Sequence, residues 1–270
     1  MNVSEFLKRA AGELSEARIE SAHLEAQMIA AKVLNIERSK LLLRMDDELD
    51  AAEAVKMIER RKSGEPLAYI LGEKEFFGRT FFVNPAVLIP RPETEILVSA
   101  ALGIAQDQQT TLDVGTGSGA IAITLALEKP SLRCIGCDIS SAALSVAAKN
   151  AQTLGADVRF VRADKLQPIQ TNSVDLVVCN PPYVDDQDEM LDSAVRFWEP
   201  RIGLFSAGGT AFIQALIGQA QQVLVPGGWL LFEIGYGQKH LVQAMLSGWT
   251  EVRFEDDLSG VPRVAIAQKR

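Results

Sequence analysis

The segment Asp113-Val114-Gly115-Thr116-Gly117-Ser118-Gly119-Ala120 joins a short apolar strand pattern, residues 111–114, to a helical pattern, Ala120–Glu128. Because glycine has no Cβ, it lets the chain turn sharply and lets a ligand approach the backbone closely. The next strand pattern, residues 133–137, ends at an acid, Asp138. A carboxylate at the end of that strand can accept hydrogen bonds from both hydroxyls of a ribose. The glycine segment and the acid together predict a site for an adenosine-type ligand.

Helical and strand patterns alternate along the chain from Glu93 onward. Further strand patterns cover residues 158–161, Val174–Cys179, 228–234 and 261–267, and further helical patterns cover residues 140–154 and 210–224. Such alternation predicts the α/β class, with a mostly parallel sheet that carries helices on both faces. Ligands of these folds bind at the carboxyl ends of the strands, where the glycine segment and Asp138 are expected to lie.

The glycine segment alone does not identify the ligand. Gly115, Gly117 and Ala120 also satisfy the dinucleotide pattern G-x-G-x-x-G/A, so this stretch does not exclude NAD. An aspartate ahead of the glycines, here Asp113, is commoner in methyltransferases, in which no pyrophosphate needs the helix N-terminus. The decision therefore depends on the segment that follows the fourth strand pattern.

That strand pattern, Val174–Cys179, is followed by Asn180-Pro181-Pro182-Tyr183. The Asn180 side-chain oxygen and the Pro181 carbonyl can accept the two hydrogens of an –NH2 group. The prolines fix φ and so preorganise these acceptors, and Tyr183 offers a flat face to a planar group. Holding both hydrogens aims the nitrogen lone pair at a methyl donor, so positioning replaces a strong general base. Asn180, Pro181 and Tyr183 are thus the predicted catalytic residues of an S-adenosylmethionine-dependent methyltransferase acting on an amide or amine nitrogen.

The chain is predicted to have three segments. Residues 1–63 have the pattern of a small helical domain, whose first helix places apolar residues on one face behind Ser4, the predicted N-cap. Residues 64–92 form a connector in which residues 76–82 predict a β-hairpin. Residues 93–270 form the methyltransferase domain. Since the helical domain supplies no cofactor motif, we expect it to dock the substrate.

The charge pattern argues against a nucleic-acid substrate. The chain of 270 residues carries 27 Lys and Arg against 35 Asp and Glu, a net charge of −8. Residues 1–84 hold 13 basic and 15 acidic residues, the remainder 14 and 20, and neither stretch contains a basic run. Phosphate binding depends on a positive excess, so no direct nucleic-acid binding is expected.

Other features favour a cytoplasmic protein, which we expect to act as a monomer. The start, residues 1–10, mixes charged and apolar residues and has no signal-peptide pattern. Glycines, glutamines and a proline interrupt the uncharged stretch 202–232, so no membrane span is expected. The three cysteines suggest no disulfide framework, and Cys134 and Cys137 would point to opposite faces of a strand. We therefore expect no metal site.

Several further motifs occur along the chain: residues 66–72, residues 89–95, Glu199-Pro200, Pro226-Gly227-Gly228 and Glu233-Ile234-Gly235. With residues 113–119 and Asn180-Pro181-Pro182-Tyr183, they make nearly the whole chain resemble the HemK/PrmC family of peptide-chain release factor N5-glutamine methyltransferases. The Asn-Pro-Pro-Tyr segment alone is shared with adenine and guanine amino-methyltransferases of DNA and RNA. The segment Arg91-Pro92-Glu93-Thr94 and the helical N-terminal domain are more particular to this family.

The resemblance implies a class I, Rossmann-like domain with a seven-stranded sheet behind a small helical bundle. It implies S-adenosylmethionine as the cofactor, S-adenosylhomocysteine as the product, and the Gly-Gly-Gln glutamine of bacterial release factors, which act in translation termination, as the acceptor. Asn180, Pro181, Pro182 and Tyr183 would cradle that glutamine. The expected cofactor contacts are Gly115, Thr116, Gly117, Ser118, Gly119, Asp138, Ile139, Asp164, Lys165 and Asn180.

The chain departs from this resemblance at Lys165. Many relatives have Asp-Trp where it has Asp164-Lys165, so a lysine replaces an aromatic wall beside the adenine and covers the ring only with its alkyl stem. Asp164 is expected to accept from the adenine amino group. Two other interpretations stay open: an amino-methyltransferase of nucleic acids with the same cradle, and a catalytically silent module whose helices dock a partner.

Overall fold

A computed structural model describes residues 1–188 and 190–270. By its internal contacts the chain forms two compact units. The first, called the helical unit below, consists of Met1–Gly72 and Asp192–Trp198. The second consists of Glu73–Leu191 and Glu199–Arg270. The division therefore falls after Gly72, beyond the end of the predicted helical domain at residue 63, and the predicted connector 64–92 is shared between the two units.

The helices and strands follow one another in a mixed order. The helices are α1 (Val3–Glu16), α2 (Ala22–Val33), α3 (Ala51–Lys62), α4 (Leu67–Leu71), α5 (Thr94–Ile104), α6 (Ala120–Glu128), α7 (Ser141–Leu154), α8 (Ser193–Trp198), α9 (Arg201–Leu204), α10 (Ala211–Val223) and α11 (Lys239–Met245), with a 3-10 helix over Arg38–Arg44. The strands are β1 (Glu73–Phe76), β2 (Arg79–Phe82), β3 (Thr110–Val114), β4 (Arg133–Asp138), β5 (Val158–Arg162), β6 (Val174–Cys179), β7 (Leu224–Glu233), β8 (Thr250–Asp256) and β9 (Pro262–Gln268).

The first unit is built on the amphipathic helix α1. Its buried face contributes Phe6 and Leu14 to a core that also contains Ile29 from α2 and Ile58 from α3. The N-cap of α1 is Asn2, not the predicted Ser4. Asn2 caps the helix because it forms a capping box with Glu5, the third helical residue. The Asn2 side chain accepts from the Glu5 amide, and the Glu5 carboxylate accepts from the Asn2 amide.

The second unit contains a seven-stranded sheet in the order β5-β4-β3-β6-β7-β9-β8. Strands β5, β4, β3, β6 and β7 run parallel, and β9 pairs antiparallel with β7 and with β8. This confirms the predicted α/β class with a mostly parallel sheet. The edge strand β8 was not predicted, because its side chains alternate between exposed and half-buried and therefore carry no apolar stripe.

Helices cover both faces of this sheet. On β6, Val177 and Cys179 belong to the core under α10 and α11, whereas Leu176 and Val178 belong to the core under α5 and α6. The cysteines of β4 follow the same rule: Cys137 lies in the first core and Cys134 in the second. Burial raises the pKa of both thiols to about 12. The prediction that these two cysteines face opposite sides is confirmed.

The hairpin β1–β2 is tied to the glycine segment. Its two-residue turn, Phe77-Gly78, has positive φ at both positions, which suits the twist of a tight hairpin. The buried Asn150 of α7 exchanges hydrogen bonds with the backbone of Phe82, and its Nδ2 also donates to the Ser118 carbonyl at 2.8 Å. The hairpin predicted over residues 76–82 is present, and it begins three residues earlier, at Glu73.

Candidate active site

A cleft opens at the carboxyl ends of β3, β4 and β6. It is lined by residues from the glycine segment, from the ends of β4 and β6, and from the segments around residues 86–94 and 200–212. Of the predicted site residues, the lining includes Gly115, Thr116, Gly117, Ser118, Asp138, Ile139, Asp164, Lys165, Asn180 and Pro182. Gly119, Pro181 and Tyr183 are not among the lining residues.

The glycine segment turns through three left-handed residues. Gly115, Gly117 and Gly119 have φ of 71°, 55° and 83°, a region that side chains with a Cβ rarely adopt. Gly119 is buried where α6 begins, and a Cβ there would lie 2.6 Å from the Ile123 Cδ1 atom. Gly119 therefore allows the helix to pack against the loop, while Gly115 and Gly117 leave their backbone open to the cleft.

Asp138 supports the loop and still has capacity to bind a ligand. Its Oδ2 accepts from the Gly117 amide at 3.0 Å and its Oδ1 accepts from the Ser140 amide at 2.9 Å. A carboxylate offers about four acceptor positions, so each oxygen keeps one for a ribose hydroxyl. The half-buried side chain lines the cleft at the end of β4.

Asp113 lies beneath the loop. Its Oδ2 accepts from the Thr116 hydroxyl at 2.6 Å and from the Ala122 amide at 3.2 Å, and Oδ1 has no partner within the described residues. Burial raises the pKa of this carboxyl to about 7, against the opposing effect of the Thr116 hydrogen bond. Asp113 is not a lining residue, so it links the two ends of the glycine turn without facing a ligand.

Asp164 and Lys165 form one wall of the cleft together with an aromatic residue that the sequence did not single out. The Lys165 Nζ lies 2.7 Å from Asp164 Oδ1 and 5.0 Å from the centroid of the Phe212 ring. All three residues line the cleft. Phe212, from the first turn of α10, thus places a ring on the wall that carries Lys165.

The segment Asn180-Pro181-Pro182-Tyr183, called the acceptor segment below, is held through its side chains. The Asn180 Nδ2 donates to the Thr94 hydroxyl at 3.0 Å, and the Tyr183 hydroxyl donates to Glu233 Oε1 at 2.9 Å. Burial raises the pKa values of Tyr183 and of Glu233 above their ordinary ranges. Pro181 is buried, and Tyr183 is half-buried beside the cleft and packs against the core under α10.

A second clamp acts on the acceptor segment from the residues after β7. The Gln238 Nε2 donates to the carbonyls of Tyr183 and Gly209, each at 3.1 Å. Its Oε1 accepts from the Gly235 amide at 2.9 Å. One side chain therefore joins three loops, which fixes the backbone at the end of the acceptor segment. No local pattern identifies such a residue, because all of its partners are backbone groups.

Two of the motifs noted in the sequence meet beside the cleft. The buried Glu199 accepts from the Ile89 amide at 3.0 Å and from the Arg91 guanidinium. This places the residues before α5, including Leu88 and Pro90, along the cleft. The Arg-Pro-Glu-Thr segment and Glu199-Pro200, more than a hundred residues apart, thus form one side of the site.

Comparison with known proteins identifies the family. The family model described as PrmC N-terminal domain matches residues 5–72, and the one described as Methyltransferase small domain matches residues 92–213. A release factor glutamine methyltransferase of Koribacter versatilis is 40% identical over 277 residues, which cover 100% of this chain and 99% of that protein. The chain belongs to the release factor glutamine methyltransferase family.

Other members of the family agree with this. The release factor glutamine methyltransferase of Neisseria gonorrhoeae is 41% identical over 91% of this chain and 93% of its own length. That of Enterococcus faecalis is 40% identical over 86% of this chain and 87% of its own length. Membership confirms the predicted resemblance, the enzyme class and S-adenosylmethionine as the cofactor.

Solved structures confirm the fold. A methyltransferase from Pyrococcus furiosus superposes with a TM-score of 0.55 at 16% identity, over 81% of this chain and 98% of that one. A ribosomal protein L11 methylase from Lactobacillus delbrueckii subsp. bulgaricus gives 0.51 at 22% identity, over 70% and 84% of the two chains. Within residues 1–188 and 190–270, no helix is long and apolar enough to cross a membrane.

Proposed function

We propose that the protein transfers a methyl group from S-adenosylmethionine to the side-chain amide nitrogen (N5) of the glutamine in the Gly-Gly-Gln motif of bacterial translation release factors. One observation carries this proposal. Residues 115–117 and Asp138 line the same cleft as Asn180. The side-chain nitrogen of Asn180 already donates a hydrogen bond to the Thr94 hydroxyl. The Asn180 oxygen is thereby left to accept a hydrogen from a substrate.

The residues of the cleft fit S-adenosylmethionine. Open backbone at Gly115 and Gly117 suits close approach of the cofactor, and the free acceptor positions of Asp138 suit the ribose hydroxyls. Asp164 carries a carboxylate for the adenine amino group, and Phe212 offers an aromatic face in the same wall. When bound, the cofactor supplies an electrophilic methyl group on a sulfonium.

The acceptor residues act by positioning. The Asn180 oxygen and the Pro181 carbonyl would accept the two hydrogens of the glutamine –NH2 and so direct the nitrogen lone pair toward the methyl group. Pro181 is not itself a lining residue, but its backbone lies between Asn180 and Pro182, which both line the cleft. An amide nitrogen is a weak nucleophile because its lone pair is delocalised. The acceleration of methyl transfer must therefore come from orientation of the amide and from electrostatic stabilisation. We assign no general base, since the proton can leave after transfer. Pro182 lines the cleft, and Tyr183 holds the segment through Glu233.

The helical unit would select the substrate protein. An isolated glutamine offers too few contacts to be chosen from a proteome, so binding energy must come from surface remote from the chemistry. The relatives' shared name specifies a translation factor as the acceptor, which supports action in the cytoplasm. We also propose that the protein acts as a monomer on a protein substrate and does not bind nucleic acid directly. The net charge of −8 supports the absence of nucleic-acid binding.

The test offers two acceptors side by side. Purified release factor and duplex DNA are each incubated with the protein and methyl-labelled S-adenosylmethionine. We expect label on the release factor, at the Gly-Gly-Gln glutamine by peptide mass spectrometry, and no label when that glutamine is replaced by alanine. Label on DNA alone would favour a nucleic-acid amino-methyltransferase, and no label on either acceptor would favour a silent docking module.

A further inference from the structure

Two side chains of the acceptor segment, those of Asn180 and Tyr183, form one hydrogen-bonded chain with Thr94 and Glu233. The Asn180 Nδ2 donates to the Thr94 Oγ1, and Thr94 in turn donates to Glu233 Oε2 at 2.7 Å. The other Glu233 oxygen accepts from the Tyr183 hydroxyl. Thr94 is 4% exposed and Glu233 is 2% exposed, so water does not replace these partners. The chain joins the start of α5, the end of β6 and the end of β7.

The direction of this chain follows from counting protons. Thr94 has one hydroxyl hydrogen, and it goes to the Glu233 carboxylate. The Thr94 oxygen can then only accept from Asn180, so it must meet the –NH2 end of the carboxamide. The opposite, carbonyl end of Asn180 is left for the cleft. The carboxylate at Glu233 therefore decides which end of Asn180 a substrate meets.

We propose that Glu233 and Thr94 are positioning residues that set the orientation of the Asn180 carboxamide, and thereby make the cradle accept an –NH2 group. This inference rests on the proposed function. It assigns a role to two motifs that the chemistry did not otherwise use, the Arg-Pro-Glu-Thr segment and the Glu-Ile-Gly segment. Glu233 is not among the cleft-lining residues, and Thr94, which is a lining residue, is bonded to both Asn180 and Glu233, so both residues would act through Asn180.

The proposal predicts a dependence on pH. A protonated Glu233 would donate to Thr94, and Thr94 would then donate to the Asn180 oxygen and turn the –NH2 end toward the cleft. Burial raises the Glu233 pKa above its ordinary 4.5, and nearby Glu93 raises it further. The Thr94 and Tyr183 hydrogen bonds and the charge of Arg263 oppose this rise. Turnover should therefore fall on the acid side as Glu233 gains a proton.

A matched pair of substitutions at Thr94 tests the chain. Thr94→Val keeps the shape and removes the hydroxyl, whereas Thr94→Ser keeps the hydroxyl. With release factor as the acceptor, we expect Thr94→Val to lower kcat by about a hundredfold, as loss of alignment does, with little change in KM. Thr94→Ser should restore most of the turnover. Affinity for S-adenosylhomocysteine, measured by calorimetry, should be unchanged in both.

Glu233→Gln gives the second, independent measurement. An amide does not titrate in this range, so the part of the acid limb of the kcat–pH profile that arises from Glu233 should be lost, and the plateau should be lower. Any part that arises from Asp113 beneath the glycine segment should remain. The proposal is overturned if Thr94→Val, folded by its melting curve, turns over like the wild type, or if Glu233→Gln keeps the acid limb unchanged. The pH profile decides the matter if Thr94→Val does not fold. Failure of the proposed function is separate, because wild-type protein would then not methylate release factor at all.

Discussion

Asn180 has two chemically different ends, and the proposed function gives each a different task. Its nitrogen is bonded to the buried Thr94, and its oxygen is free to accept from a substrate. Asp138 works in a similar way, since each carboxylate oxygen takes one backbone amide and keeps an acceptor position for a ligand. At both residues the bonds that position the side chain are separate from the bonds that would bind the reactants.

Phe212 should contribute to cofactor affinity. Stacking of a base on an aromatic side chain is worth about 1–3 kcal/mol, so Phe212→Ala should weaken binding of S-adenosylmethionine by roughly five- to 150-fold. Calorimetric titration measures this. The matched control is Phe82→Ala, because Phe82 is also half-buried under a lysine, Lys149, but is absent from the cleft lining. Equal affinities of the two variants would contradict a cofactor role for Phe212.

The site residues that could be predicted from the sequence are those whose role follows from a local pattern. Asp138 ends a strand and Asn180 follows another, so parallel-sheet geometry alone places both at one edge. Phe212 was not predicted, because its proximity to Lys165 depends on how α10 packs. The pairing of Glu233 with Thr94 spans 139 positions and equally leaves no local trace.

Among the elements, the glycine turn and helix α6 depend on one another. Gly119 lies between them with φ of 83°, and a Cβ at this position would meet Ile123 and Ala147. Gly155, at the end of α7, has a similar φ of 70°, but a Cβ added there would have nothing within 4 Å. The two glycines thus share the backbone requirement and differ only in the space around them.

Substitution of these glycines should separate strain from packing. Gly155→Ala should lower the unfolding free energy by about 1–2 kcal/mol, because a residue with a Cβ is strained in the left-handed region. Gly119→Ala should cost about 1–3 kcal/mol more, because the added methyl group overpacks α6 against α7. Urea unfolding of the two variants measures the difference. Equal losses would show that the contacts of Gly119 are easily relaxed.

Elements with a strong apolar pattern were predicted well. The strand over Val174–Cys179 was predicted with its observed bounds, because it is buried on both faces and its sequence is almost continuously apolar. The helix α11 and the edge strand β8 were missed, since the first has only seven residues and the second carries charges at alternate positions. Short or exposed elements are stabilised by their neighbours, which a local pattern does not contain.

At the scale of the whole molecule, the chain passes between the two compact units more than once. It leaves the second unit after Leu191, contributes Asp192–Trp198 to the first, and returns to the second at Glu199. The sequence did not predict this change of unit, because helix α8, Ser193–Trp198, has only six residues and carries no extended periodic pattern.

The helical unit also presents an apolar pair that a protein substrate could cover. Leu42 and Leu43 are 78% and 85% exposed within Arg38–Arg44, which also carries three basic residues. Exposed apolar side chains of this kind are typical of interaction surfaces. We expect Leu42→Asp/Leu43→Asp to raise KM for intact release factor by about tenfold and to leave KM for a short Gly-Gly-Gln peptide unchanged.

The control for Leu42 and Leu43 lies in the second unit, Glu73–Leu191 and Glu199–Arg270. Leu258 is fully exposed, and Leu258→Asp should leave both KM values unchanged. Steady-state kinetics with the two acceptors measures all four values. An unchanged KM of the double variant for intact release factor would exclude this face as the docking surface.

We propose that Asn180 acts chiefly by positioning the acceptor amide and that its contact with the cofactor adds little to cofactor affinity. Single-turnover transfer to release factor by Asn180→Ala, with S-adenosylmethionine affinity measured in parallel, tests it most directly. We predict a transfer rate reduced by about a hundredfold or more at saturating release factor, with cofactor affinity largely retained. Transfer at the wild-type rate would contradict the claim.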